Sequence, residues 1–251
     1  MKMVVHEEYA FLEDFIRELP LRFENEGVTL HNGRNCVKTF LVDGVRIVVK
    51  RFRRPNLFNR CVYAWFRKSK AERAYGNALE LRGLGIRTPD PAGYLELYSR
   101  GLLTTCYLVT SFTDYTPLKQ LEFEALDSQL HIFEDFVRFT VMLHEKGVCH
   151  DDYNLSNVLY KQKADGSVDF MLIDINRMRF GRMSRRACMA NVRRLCEDTR
   201  LTYELSVRYA ALRGWNASRC LAGVAFFRAM FERKADRKRR LKEWARGMAE
   251  N

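Results

Sequence analysis

The stretch 143–160, LHEKGVCHDDYNLSNVLY, constrains this chain more than any other. His150-x-Asp152 is followed five positions later by Asn157, and a short polar turn then leads into VDFMLID, an apolar run ending on Asp174. Upstream, Phe133, Phe136, Val137, Thr140, Val141 and His144 recur at helical spacing, so a helix runs into this loop. Lys146-Gly147 is its predicted stop. Val158-Leu159-Tyr160 and the run 168–173 read as two strands joined across Asp165-Gly166, a strong hairpin signal. HxD alone is common. HxDxxxxN after a helix and before a strand pair that ends in a carboxylate is far more restrictive.

That order suits a protein-kinase-like fold holding a phosphoryl acceptor and metal-bound ATP. Phosphoryl transfer needs a positioned hydroxyl, metal ions bridging the phosphates and cationic partners for the charge. Asp152 would orient the acceptor hydroxyl or take its proton. The amide oxygen of Asn157 and the carboxylate of Asp174 are hard donors of the kind Mg2+ prefers. His150, inside the same catalytic motif, is expected to brace the loop against a neighbouring strand. The other reading is that these are loop residues capping turns, which does not explain their order.

Such a fold makes three demands upstream. A strand lysine must meet the ATP phosphates, and VRIVVKRF (45–52) offers Lys50, entered through an Asp43-Gly44 turn from the strand 35–42. Alternation puts Val48 on the same face, over the adenine; a solvent-facing lysine on a basic strand is the alternative. A phosphate-covering turn must join the first two strands, and Asn32-Gly33 is a hairpin signal in that place, with Gly33 as the single glycine. A helix must carry a glutamate that orients the lysine. The segment 69–84 has helical composition and stops at Gly85. Glu72 and Glu80 are its candidates, although Glu72 also suits the helix dipole.

The chain resembles the lipopolysaccharide kinase family, which phosphorylates Kdo or heptose sugars of the lipid A inner core. The resemblance is carried by KRF (50–52), LGIRTPDP (84–91), LHEKGVCHDDYNLSNVLY (143–160) and IDINRMRF (173–180), and spans about residues 25–200. It implies an α+β, bilobal protein-kinase-like fold with a small antiparallel β-sheet N-lobe and a mainly helical C-lobe. It implies Lys50 for the ATP phosphates, Asp152 as catalytic aspartate, and Asn157 and Asp174 for magnesium. Three departures stand out: the glycine-rich loop is reduced to Gly33, Asp174-Ile175-Asn176 replaces Asp-Phe-Gly, and no APE-type segment follows. The last two suit small-molecule or glycan kinases better than regulated protein kinases.

With 251 residues and 47% hydrophobic content the chain can bury a sizeable core. We expect a single kinase-like domain over 1–251, with an N-lobe at 20–111 and a C-lobe at 112–251. YLVTS (107–111) reads as the last strand before the connector 112–115, so backbone groups of Ser111, Phe112 and Thr113 are candidates for the adenine edge. The amphipathic segment 6–19 has no assignable role. The net charge is +12, concentrated in 177–194 and 233–246, and the pI is about 9.5. Such a face attracts polyanions. No nucleic-acid module is present, and RKADRKRRLKEWAR, with Leu241 and Trp244 among its charges, reads as an amphipathic surface helix. A glycolipid substrate and an anionic membrane surface are the expected partners, and the inner face of the cytoplasmic membrane is the expected place. The N-terminus carries acids too early for a secretory signal. Seven scattered cysteines without metal spacing read as buried thiols in a reducing cytoplasm. The alternatives are a soluble small-molecule or protein kinase and a nucleotide-binding pseudokinase scaffold.

Overall fold

A computed structural model describes residues 1–54, 67–121, 126–195 and 199–248. The chain forms two compact units, Met1–Tyr115 with Met171–Arg177, and Thr116–Phe170 with Met178–Asn251.

The first unit is built on a six-stranded antiparallel sheet. Its strands are β1 (Lys2–Val5), β2 (Val28–Asn32), β3 (Cys36–Val42), β4 (Val45–Phe52), β5 (Pro91–Ser99) and β6 (Leu102–Ser111), in the order β1-β5-β6-β4-β3-β2. Strand alternation turns Ile47 and Val49 of β4 into the core, while Val48 and Lys50 share the opposite, half-buried face. Helix α1 (Glu13–Asn25) covers the core face with Phe15, Ile16, Leu19 and Phe23, preceded by Leu12. That spacing is one helical stripe. It packs on Phe40, Ala92, Leu95, Tyr107 and Val109, which gives the N-terminal amphipathic segment its role. Asp43 (φ 48°) and Gly44 (φ 77°) make the tight β3–β4 turn, both in the left-handed region such a turn requires.

The Asn32-Gly33 signal does fall at a hairpin, between β2 and β3. Asn32 pairs with Cys36, so three residues, Gly33 to Asn35, make the connection. Gly33 is not among the positive-φ residues, and its N–H bonds to the Asn35 carbonyl at 3.2 Å. A Cβ there would meet the His31 ring at 2.7 Å, so the glycine provides room for that side chain.

Helix α2 (Lys70–Gly83) lies against β5 and β6 and buries Leu81 with Ala71, Ala74 and Ala78, three small residues that permit close approach. Ser69 caps it by accepting the Glu72 N–H at 3.1 Å. Gly85 (φ 69°) ends it, and the Ile86 N–H returns to the Leu81 carbonyl at 2.9 Å.

The second unit is mainly helical. Helix α3 (Leu126–Glu145) buries Phe133, Phe136, Val137, Thr140, Val141 and His144, the stripe that the sequence spacing predicts. Gly147 (φ 73°) stops it. A Cβ on Gly147 would lie 2.6 Å from the Gly181 carbonyl oxygen, so glycine is required there twice over. Strands β7 (Thr116–Pro117), β9 (Val158–Gln162) and β10 (Val168–Leu172) form one sheet in the order β10-β9-β7. A second sheet pairs β8 (Val148–His150) with β11 (Met178–Phe180). Helices α4 (Arg185–Val192), α5 (Thr199–Leu212) and α6 (Ala217–Gly247) complete the unit, with α6 packed on α4 and α5.

Candidate active site

The sequence-predicted residues divide between the two units. In the first, Lys50 on β4 places Nζ 2.5 Å from Oδ1 of Asp174, with side-chain exposures of 19% and 31%. Asp174 has φ 54°, a left-handed conformation that aspartate tolerates better than most residues. Asn176 Nδ2 donates to the same Oδ1 at 2.7 Å. Two further bonds fix the segment: Asn77 Nδ2 on α2 donates to the Ile175 carbonyl at 2.6 Å, and the Leu172 N–H to the Arg87 carbonyl at 3.0 Å.

The expected glutamate partner of Lys50 is corrected. Glu72 pairs with Lys2 of β1 at 3.0 Å, and Glu80 lies on the exposed face of α2. Helix geometry supplies the reason. Glu72 and Asn77, five residues apart, point about 140° away from each other around the axis, so a helix turned to bring Asn77 onto the Asp174 segment carries Glu72 elsewhere. The connector expectation is narrowed. The Ser111 N–H donates to the Asp90 carbonyl at 2.9 Å and the Phe112 N–H to the Arg46 carbonyl at 3.1 Å. Both donors are committed within the protein. Thr113 Oγ1 itself accepts the Tyr115 N–H at 3.3 Å.

In the second unit, the loop 150–157 is held by its own side chains. His150 is buried, and its Nδ1 accepts the Asp152 N–H at 3.1 Å. The Asp152 carbonyl accepts from Asn154 Nδ2 at 2.8 Å and from Asn157 Nδ2 at 2.9 Å. The latter bond engages the amide nitrogen of Asn157 and turns its oxygen the other way, as a hard-cation donor requires. Tyr153 is buried beneath the loop, its hydroxyl 2.9 Å from Thr140 Oγ1. Burial pushes that phenol above its usual range, so it stays neutral. The two adjacent carboxylates have different cations: Asp151 Oδ1 lies 2.8 Å from Arg179, and Asp152 Oδ1 is paired with Arg194.

Three residues of this arrangement carried no signal in the sequence: Asn77, Asn191 and Arg194. Asn191 on α4 donates to the His150 carbonyl at 2.8 Å. Its Oδ1 is therefore an acceptor for His144, 3.0 Å away, which makes His144 Nε2 the protonated nitrogen and Nδ1 the acceptor of the Tyr209 hydroxyl at 2.8 Å. Burial pulls the His144 imidazole down to about 4, the Asn191 bond opposes this, and the Arg213 charge adds to it. The folded state thus holds His144 neutral where the unfolded chain, near pH 6.5, begins to bind a proton. Stability is full above about pH 6.5 and falls toward pH 4, by about 3 kcal/mol at most for this group. His144→Gln should flatten the urea-unfolding free energy between pH 6.5 and 4; an unchanged slope would assign it to other groups.

The described residues hold no cluster of three or more His, Cys, Asp or Glu suited to a metal. Burial pushes the Cys106 and Cys149 thiols up to about 11, which makes them inert packing groups. No described helix is long and apolar enough to cross a membrane.

Comparison with known proteins bears on the family and the fold. The model of the lipopolysaccharide kinase (Kdo/WaaP) family matches residues 32–208. Among solved structures, a WaaP in complex with acyl carrier protein is similar at TM-score 0.61 and 17% identity, over 94% of this chain and 99% of that one. The Rio2 kinase of Chaetomium thermophilum, in an ADP/Mg2+-phosphoaspartate complex, is similar at TM-score 0.50 and 16% identity, over 85% of this chain and 75% of that one. Comparison with curated proteins gives no match. The fold is protein-kinase-like.

Proposed function

The chain belongs to the lipopolysaccharide kinase (Kdo/WaaP) family of ATP-dependent phosphotransferases, and from that premise we propose that it phosphorylates a sugar hydroxyl, on Kdo or heptose, of the lipid A inner core. The observation that carries the reading is the pairing of Lys50 with Asp174 in one unit, together with a separately ordered Asp152–Asn157 loop in the other. Lys50 holds the α- and β-phosphates, and Val48 lies against the adenine. Asp152 orients the acceptor hydroxyl and takes its proton as the hydroxyl oxygen bonds to the γ-phosphorus, the bond from that phosphorus to the β–γ bridging oxygen breaks, and ADP leaves. His150 and Asn191 act only through the loop they brace. Asp174 and Asn157 would hold magnesium, which neutralises the phosphate oxygens when bound. Their donor set, a carboxylate and an amide oxygen, fits that ion. The test is transfer of labelled γ-phosphate from ATP-magnesium to Kdo-lipid A. Label on the glycolipid is expected; ATP binding without transfer to any glycolipid would move the assignment to a soluble acceptor.

A substrate held in a bilayer requires a surface that meets it. The distal part of α6 carries the basic run 233–246, with Leu241 56% and Trp244 66% exposed. Exposed aromatic and aliphatic groups among cations suit the anionic inner face of the cytoplasmic membrane. Arg239 is paired with Asp236 at 2.9 Å, so Arg237, Lys238 and Arg240 are the informative charges. Changing all three to Gln should weaken binding to anionic vesicles by roughly a hundredfold, at about 1 kcal/mol per charge, with ATP affinity unchanged. Unaltered vesicle binding would remove the membrane role, and a protein partner, such as the acyl carrier protein seen with the related WaaP, would be the next occupant to test.

A further inference from the structure

Transfer chemistry does not explain the ion pair between Arg194 and Asp152. A base that must accept a hydroxyl proton does so through a carboxylate oxygen, yet Oδ1 of Asp152 already accepts a charge-assisted hydrogen bond. A cation there lowers the basicity of the carboxylate and blocks one approach to it. Arg194 is not needed by the neighbouring carboxylate, because Arg179 satisfies Asp151. The Arg194 guanidinium lies over the Phe231 ring of α6, 5.0 Å from its centroid, and Arg193 lies 5.4 Å from the same ring. Two cations therefore converge on one aromatic ring, and one of them pairs with the reacting carboxylate. At 31% exposure Arg194 remains reachable from solvent. A planar guanidinium with several donors is the side chain best matched to an oxyanion.

We propose that Arg194 is a positioning residue that exchanges anions. Without an acceptor it holds Asp152. With one, it turns to a phosphate or carboxylate of an anionic glycolipid and leaves Asp152 to face the hydroxyl. The inference rests on the glycolipid kinase reading and narrows it to acceptors that carry an oxyanion near the accepting hydroxyl. It also restrains wasteful hydrolysis. In that side reaction water attacks the γ-phosphorus, the bond to the β–γ bridging oxygen breaks, ADP leaves, and the water proton passes to Asp152.

The test uses the full chain and its R194Q and R194K variants. ATP hydrolysis is measured without acceptor, and KM and kcat are measured on Kdo-lipid A, its carboxyl-reduced form and its dephosphorylated form. R194Q should hydrolyse ATP several-fold faster without acceptor. Its KM for intact acceptor should rise about ten- to a hundredfold, the range for a lost hydrogen bond to a charged group. It should no longer distinguish the intact acceptor from the form lacking the recognised anion, and that form identifies carboxylate or phosphate as the partner. R194K, which keeps the charge but not the fork, should recover part of the KM. Unchanged or slower hydrolysis together with unchanged discrimination would overturn the exchange. If R194Q is unfolded, R194K tests loss of the fork alone, with effects of the same sign and smaller size. If the wild type transfers to no glycolipid, the glycolipid reading fails, and the hydrolysis rates alone decide whether Arg194 restrains Asp152.

Discussion

Asp152→Asn should remain folded and bind ATP while transferring phosphate about 10²–10⁴-fold more slowly, the usual contribution of a positioned proton acceptor. The asparagine keeps the shape of the residue. The bonds that set the loop use the Asp152 main chain: its N–H to His150 Nδ1 and its carbonyl to Asn154 and Asn157. None is lost. What disappears is the carboxylate as proton acceptor and as partner of Arg194. Because both side chains of that pair are about a quarter to a third exposed, its loss should change stability by only about 1 kcal/mol or less. Labelled-phosphate transfer, calorimetric ATP binding and thermal unfolding on one preparation separate these effects. Wild-type turnover would remove Asp152 as the base.

The elements that were legible in the sequence are those with periodicity or turn chemistry. The stripe from Phe133 to His144 specifies α3 because a helix presents those positions on one side. Asp43-Gly44 specifies its turn because both residues tolerate positive φ. The alternation of Ile47 and Val49 against Val48 and Lys50 fixes which way Lys50 points. Polar partnerships across the chain leave no such trace. Lys50 and Asp174 are separated by 124 positions, and nothing local to Asn77 marks it as the residue of α2 that reaches Ile175. Arg194 sits among other arginines, where one basic residue reads like the next. The connector shows a related effect: a strand end keeps free N–H groups only when no neighbouring segment supplies acceptors, and here Asp90 and Arg46 engage two of them. The N-terminal stripe was visible, but the sheet face it covers is assembled from β3 to β6 and cannot be read from α1 alone.

Lys50→Ala and Asp174→Ala should each lower kcat/KM for ATP by about 10²–10³, the range for removing one preorganised charge partner of a reacting group. Their combination should cost little more than the worse single change, because both act on the same phosphates. The pairing at 2.5 Å explains why the protein tolerates these charges when no nucleotide is bound. Each neutralises the other at partial burial, and in the proposed reaction each would change partner, Lys50 to the phosphates and Asp174 to a divalent cation. A single alanine therefore removes the opposite charge from a half-buried partner, while the double variant removes both charges together. Thermal unfolding should show the opposite pattern to catalysis in sign: the double variant should be at least as stable as the less stable single, since removing both members of a pair avoids the penalty of removing one. A double-mutant cycle read in both kcat/KM and Tm checks this. Losses in kcat/KM that multiply would mean the two residues act independently of each other, and full activity of Lys50→Ala would take the lysine out of the site.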